Sequence, residues 1–173
     1  MDNNYFDHFG LPVSFVVDTE LLRKKYLQFS KQNHPDFAAG NDAAYEQALM
    51  QTSLNNQAYK TLSSTSERIP YVLDLLGTPV SKEDKLPPMF LMEMMEWNER
   101  IMDAGMSDDK ASLATATDEF EVLENAYEEK LGTLLDQYES EKDAALLQKI
   151  KESYLQRKYL LRLRESINKF ARL

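Results

Sequence analysis

No cysteine occurs among the 173 residues. That excludes disulfide cross-links, thiolate metal sites and a cysteine nucleophile. Only five glycines and six prolines interrupt the chain, while Ala, Leu, Glu, Lys, Gln and Met are plentiful, a balance that favours helix throughout. No stretch approaches the roughly 20 uninterrupted apolar residues of a membrane span. The opening MDNNYFDHFG has neither the basic and apolar regions of a signal peptide nor the Arg-rich, acid-poor character of a transit peptide. With the missing cysteines, this gives a cytoplasmic location as the expectation. Histidine is scarce too. His8 and His34 are too isolated for a two-histidine metal site, and no Glu-x-x-His pair, glycine-rich phosphate loop or GxSxG motif is present. The expectation is therefore a protein that is not an enzyme and carries no metal or cofactor. A formal net charge of -9 argues against a nucleic-acid partner, which requires a basic surface.

What is present reads as helices. Asp18 is placed to cap a helix reaching about Gln32, with Leu22, Tyr26 and Phe29 on one face. A second helix starts at Asn41 or Asp42 and runs to about Leu62, with Tyr45, Leu49, Thr52, Tyr59 and Leu62 as its inner face. The cluster Ser63-Ser64-Thr65-Ser66 reads as a loop, followed by a short apolar helix through Tyr71, Val72, Leu75 and Leu76, closed by Gly77 and Pro79. Residues 76–87 form a linker. Pro87-Pro88 opens a helix to about Ala104, which Gly105 stops. Ser107 caps a long helix to about Tyr138, and Ser140 caps a last one to the C-terminus. Apolar residues recur at steps of three or four along both, and three long helices with short turns form an antiparallel bundle. Charge is uneven. Residues 79–140 hold sixteen acids and five bases, whereas 141–173 hold four acids and nine bases, so an acidic helix pair packs beside a basic helix or a charged docking face is displayed.

The tripeptide His34-Pro35-Asp36 falls between the first two long helices. Proline disfavours helical geometry at the residue before it, so two polar side chains and a rigid ring occupy the bend of a hairpin. This resembles the J-domain, whose HPD loop activates the ATPase of DnaK-type chaperones; a helix stop that merely spells HPD is the alternative. The resemblance is closest to the HscB type of J-protein, a co-chaperone of iron–sulfur cluster assembly, and covers nearly the whole chain. Tyr5-Phe6 with Phe9-Gly10-Leu11-Pro12 is similar to that family's opening. Leu22, Tyr26 and Phe29 match the apolar face of the second J-domain helix, and Arg23-Lys24 its basic face. Asn56-Gln57-Ala58-Tyr59, Thr61-Leu62, Arg68, Tyr71 and Leu73 resemble the stretch that follows, and Phe90-Leu91-Met92-Glu93 the start of the scaffold-binding helix. The chain also departs from the pattern. Asn33 replaces the usual aromatic before HPD, and Leu27, Gln28 and Gln32 stand at positions often basic in J-domains. The loop after Asp36 is one residue short and lacks the usual lysine. These losses weaken the positive surface toward an acidic chaperone.

In the helix from residue 88, Phe90, Met94, Trp97 and Ile101 make one stripe sufficient to face a core. Leu91, Met92, Met95 and Met102 add apolar area outside it, beside Glu96, Glu99 and Asp103. A methionine-rich patch rimmed by acids suits an adaptable binding face, although packing under the rest of the chain would use the same residues. The resemblance implies that Leu91, Met92, Met95, Glu96, Glu99 and Asp103, with Tyr159 on the last helix, bind an IscU-type scaffold, and that His34, Pro35, Asp36, Arg23 and Lys24 meet an HscA/DnaK-type chaperone.

The combined expectation is an all-α protein: an N-terminal J-domain with its helical hairpin at 1–75, a linker at 76–87 and a C-terminal antiparallel three-helix scaffold-binding domain at 88–173. It would stimulate ATP hydrolysis by the chaperone and deliver the scaffold to it. Lacking cysteine, it could not hold a cluster through thiolates. A general J-protein with an unrelated client, or a helical interaction protein without J activity, are the competing readings.

Overall fold

The computed structural model describes residues 4–38, 42–106 and 110–170, and among these it contains helices and turns but no strand. The chain divides between Pro79 and Val80 into two compact units.

The first unit starts with helix α1, Tyr5–Phe9. Asn4 closes a capping box with Asp7, and Gly10, at φ +57°, ends the helix in the left-handed conformation that lacks a penalty only for glycine. Helix α2 spans Thr19–Gln32; as the sequence suggests, Asp18 caps it by accepting from the Glu20 and Leu21 N–H groups. It ends at Asn33, and a 3-10 turn over Pro35–Ala38 leads towards α3, Asp42–Ser63. The loop expected at 63–66 is far shorter. Only Ser64 separates α3 from α4, Thr65–Leu75. Gly77, at φ +77°, turns the chain after α4, and the Thr78 N–H donates to the Leu73 carbonyl at 2.8 Å.

Phe6, Phe9, Phe15, Leu22, Ala58, Leu62, Ile69, Val72 and Leu73 form the buried core of this unit. Tyr45 and Leu49, expected on the inner face of α3, are exposed, and Asn55, Ala58 and Leu62 are the buried residues of that helix. Asn55, on α3, is held by two other helices. Its amide donates to Ser30 Oγ at 2.9 Å and to the Tyr26 carbonyl at 3.3 Å, and its Oδ1 accepts from His8 Nε2 at 3.1 Å. His8 is thus half-buried, with its ring 4.4 Å from that of Phe29.

Arg68 is the second buried polar anchor. Its guanidinium donates to the Phe15 carbonyl at 2.9 Å, to the Leu62 carbonyl, and to Thr65 Oγ1 at 3.3 Å. Desolvation lowers its pKa from the ordinary value, a cost the three hydrogen bonds offset. Arg68→Met preserves much of the stem but removes every donor, leaving buried carbonyls without those partners. The first unit is expected to lose about 2–4 kcal/mol, since each such group costs about 1–3 kcal/mol. Urea denaturation monitored by circular dichroism checks this, and an unchanged midpoint would mean that solvent or backbone replaces the lost bonds.

The second unit comprises α5, Pro88–Met106, α6, Lys110–Glu141, and α7, Ala145–Phe170. Each helix packs on the other two, which is the expected three-helix bundle. Gly105 does not stop α5, which continues to Met106; the cap expected at Ser107 lies outside the described residues. Ser140 is also within a helix. The break comes at Lys142, at φ +53°, and the Asp143 carboxylate accepts from the Ala145 N–H at 2.9 Å to start α7.

Phe90, Met94 and Ile101 from α5, Phe120 from α6, and Leu160, Leu163 and Ile167 from α7 make one buried cluster, with Trp97, Tyr127 and Tyr159 packed at its margin. Part of the expected linker belongs to this unit: Leu86 packs on the same cluster, and Asp84 pairs with Lys151 at 2.6 Å. The uneven charge becomes helix pairing, with α6 acids meeting α7 bases in Glu124–Arg164 and Glu128–Arg157.

Candidate functional site

Two surfaces, one on each unit, carry the residues singled out in the sequence. On the first, α2 ends because Pro35 cannot follow a helical His34, and the 3-10 turn that begins at Pro35 holds the tripeptide at the bend. The His34 side chain is 54% exposed, and that of Asp36 is more so. The Asp36 N–H donates to His34 Nδ1 at 3.2 Å, with an Asp36 carboxylate oxygen 3.5 Å from the same nitrogen. Pro35 is half-buried, so the ring braces the turn while its neighbours face outward. Arg23 and Lys24 are exposed on α2. At eleven and ten residues before His34 they lie about three turns up the same helix. The structure therefore brings His34 and Asp36 together directly and places Arg23 and Lys24 further along the helix leading to them.

On the second unit, the stripe of Phe90, Met94 and Ile101 is buried, as its spacing requires, with Trp97 half-buried, its ring 5.5 Å from that of Phe120. The surplus apolar residues face outward: Leu91 is 37% exposed, Met92 58% and Met95 61%, and Met102 and Met106 extend the exposed series. None of these side chains belongs to the buried core of the second unit. Glu96, Glu99 and Asp103 are exposed on the same helix and line an open groove between α5 and α6, together with the small residues Ala104, Ala111 and Ser112. Arg100 also lines the groove, but its charge is engaged: it pairs with Glu119 and lies 5.1 Å from the Trp97 ring centre. The hydrogen bond from Arg100 holds the Glu119 carboxyl below its usual range, so the pair is ionised at neutral pH. The groove consequently presents net negative charge beside the methionines. Tyr159 differs from the rest of the set. It is half-buried, with its ring edge-on to Phe90 at 5.7 Å, so it packs on the α5–α7 seam as well as reaching the surface.

Among the described residues no group of three or more His, Asp or Glu side chains is arranged to hold a metal ion. No described helix is long and apolar enough to cross a membrane. Asn55 and Arg68 anchor the interior of the first unit, and spacing in the sequence did not reveal that Asn55 would be buried.

Comparison with known proteins decides what this pair of surfaces belongs to. The family described as the HSCB C-terminal oligomerisation domain matches residues 86–168. The co-chaperone protein HscB homolog of Burkholderia thailandensis is 37% identical over 139 residues, covering 79% of this chain and 79% of the relative. The chain belongs to the HscB co-chaperone family. The homolog of Paraburkholderia xenovorans matches with the same identity and coverage. Among solved structures, chaperone HscB from Vibrio cholerae is 31% identical, covers 95% of this chain and 99% of its own, and superposes with a TM-score of 0.62. The human co-chaperone protein HscB is 24% identical with a TM-score of 0.77, covering 96% of this chain and 81% of its own, which supports the fold. The expected all-α class, with a J-domain ahead of a C-terminal three-helix bundle, is that of the HscB family.

Proposed function

We propose that this HscB-family chain stimulates the ATPase of an HscA/DnaK-type chaperone through its first unit and delivers an IscU-type iron–sulfur scaffold through its second. The observation that carries this reading is the outward display of two distinct surfaces on two compact units: His34 and Asp36 at a braced bend, and the Leu91, Met92, Met95 face of α5 beside Glu96, Glu99 and Asp103. Arg23 and Lys24 supply positive charge for an acidic chaperone surface, and Tyr159 adds an aromatic edge to the scaffold face. ATP hydrolysis is then the partner's chemistry. This chain acts as a cytoplasmic adaptor, and holding client and motor on one molecule raises their effective concentration for each other.

The deciding experiment is a single-turnover ATPase assay of an HscA/DnaK-type chaperone with this chain, in the presence and absence of an IscU-type scaffold. Stimulation that increases with scaffold supports the proposal. Stimulation indifferent to scaffold leaves a general J-protein, and no stimulation leaves an interaction protein without J activity.

The units should also separate in function. A fragment comprising residues 1–79 is expected to retain stimulation of the chaperone and to lose the scaffold-dependent increment, because the HPD bend, Asn55 and Arg68 with its partners all lie within it. A folded fragment that fails to stimulate would show that the second unit takes part in the chaperone contact.

A further inference from the structure

Leu27 is a large apolar side chain outside the buried core of the first unit. It is 53% exposed on α2, whose core contribution comes from Leu22 with half-buried Tyr26 and Phe29. Nor does the helix need it, since lysine or glutamine would propagate helix about as well. An isolated surface leucine is ordinary, but this one lies within a ring of cations. Arg23 is four residues before it, Lys24 three before and Lys31 four after, and all three are exposed. Residues at these separations are neighbours on one helix face. The same face leads down to His34. A face that attracts an acidic partner through three cations therefore has an apolar side chain at its centre, where desolvation on contact would be most complete.

We propose that Leu27 is an apolar anchor and specificity determinant for the chaperone, which would present an apolar spot enclosed by acidic residues. This rests on the J-protein reading given above. The cations supply long-range attraction and orientation, which falls with salt. Leu27 supplies short-range energy by leaving water, as the central residues of an interface commonly do. A chaperone whose matching surface is acidic throughout would gain nothing from Leu27, so the residue favours one chaperone over others of similar charge.

The test measures ATPase stimulation of the chaperone against the concentration of the full chain, for wild type, Leu27→Ala and Leu27→Lys, with thermal melting of each. Leu27→Ala is expected to raise the half-maximal concentration by about tenfold, with maximal stimulation and melting unchanged. Leu27→Lys separates anchor from electrostatics. If charge alone governed the contact, a further cation would tighten it; with an apolar spot opposite, it weakens binding. Unchanged binding by Leu27→Ala, or tighter binding by Leu27→Lys, would overturn the role of Leu27 while leaving the J-protein reading in place. Failure of the wild type to stimulate any HscA/DnaK-type chaperone would overturn both.

Discussion

Replacing His34 by Gln is expected to abolish stimulation of the chaperone ATPase while leaving the melting curve of the chain unchanged. The two halves of this result have separate physical causes. Stability should be indifferent because His34 is more than half exposed and its ring accepts a local hydrogen bond, from the Asp36 N–H within the same turn. Surface changes of this kind usually alter stability by about 0.5 kcal/mol or less. Stimulation should fail because glutamine lacks the imidazole, whose Nδ1 accepts from the Asp36 N–H while its second ring nitrogen is left for the proposed chaperone contact. The measurements are circular-dichroism melting and single-turnover ATP hydrolysis. A folded variant that stimulates normally would remove the J-protein proposal. One that melts early would assign His34 a structural role instead.

Simultaneous substitution of Leu91, Met92 and Met95 by Ala should weaken scaffold binding by well over tenfold. A few desolvated side chains dominate most interfaces, and a single central one commonly costs about 2 kcal/mol or more on truncation. From the sequence alone these residues could equally have filled a core, where each change would cost about 2–5 kcal/mol and the triple variant would unfold. Their exposure in the structure removes that outcome. Alanine also has the highest helix propensity, so α5 should persist. Binding is best measured by calorimetry against an IscU-type scaffold, with melting of the variant alongside. Chaperone stimulation without scaffold should remain at the wild-type level, because His34 and Asp36 belong to the other unit. Normal scaffold affinity in the stable variant would rule out this face as the docking surface.

Much of this molecule could be read before its coordinates. Few glycines and prolines, periodic apolar residues and the position of Pro35 determined the helices, the hairpin bend and the core stripe of α5, since each follows from local chain geometry. The long helices α6 and α7 were legible for the same reason. Their junction was not: Ser140 had the chemistry of a cap, yet the chain turned at Lys142 and Asp143. Helix ends depend on small energy differences between neighbouring candidate caps, and packing of the flanking helices can choose among them. Tertiary structure alone decided which polar residues would be buried. Asn55 is interior because His8, 47 residues away, and Ser30, 25 residues away, meet it there. Arg68 is interior because the Phe15 carbonyl, 53 residues distant, accepts a hydrogen bond from its Nε–H. Periodicity registers which way a side chain faces on its own helix, whereas the free energy of burying a polar group depends on partners brought by other segments. The same distinction separates the two apolar sets of α5. Spacing showed that one stripe sufficed for a core, and only the packing of α6 and α7 against Phe90, Met94 and Ile101 left Leu91, Met92 and Met95 facing outward.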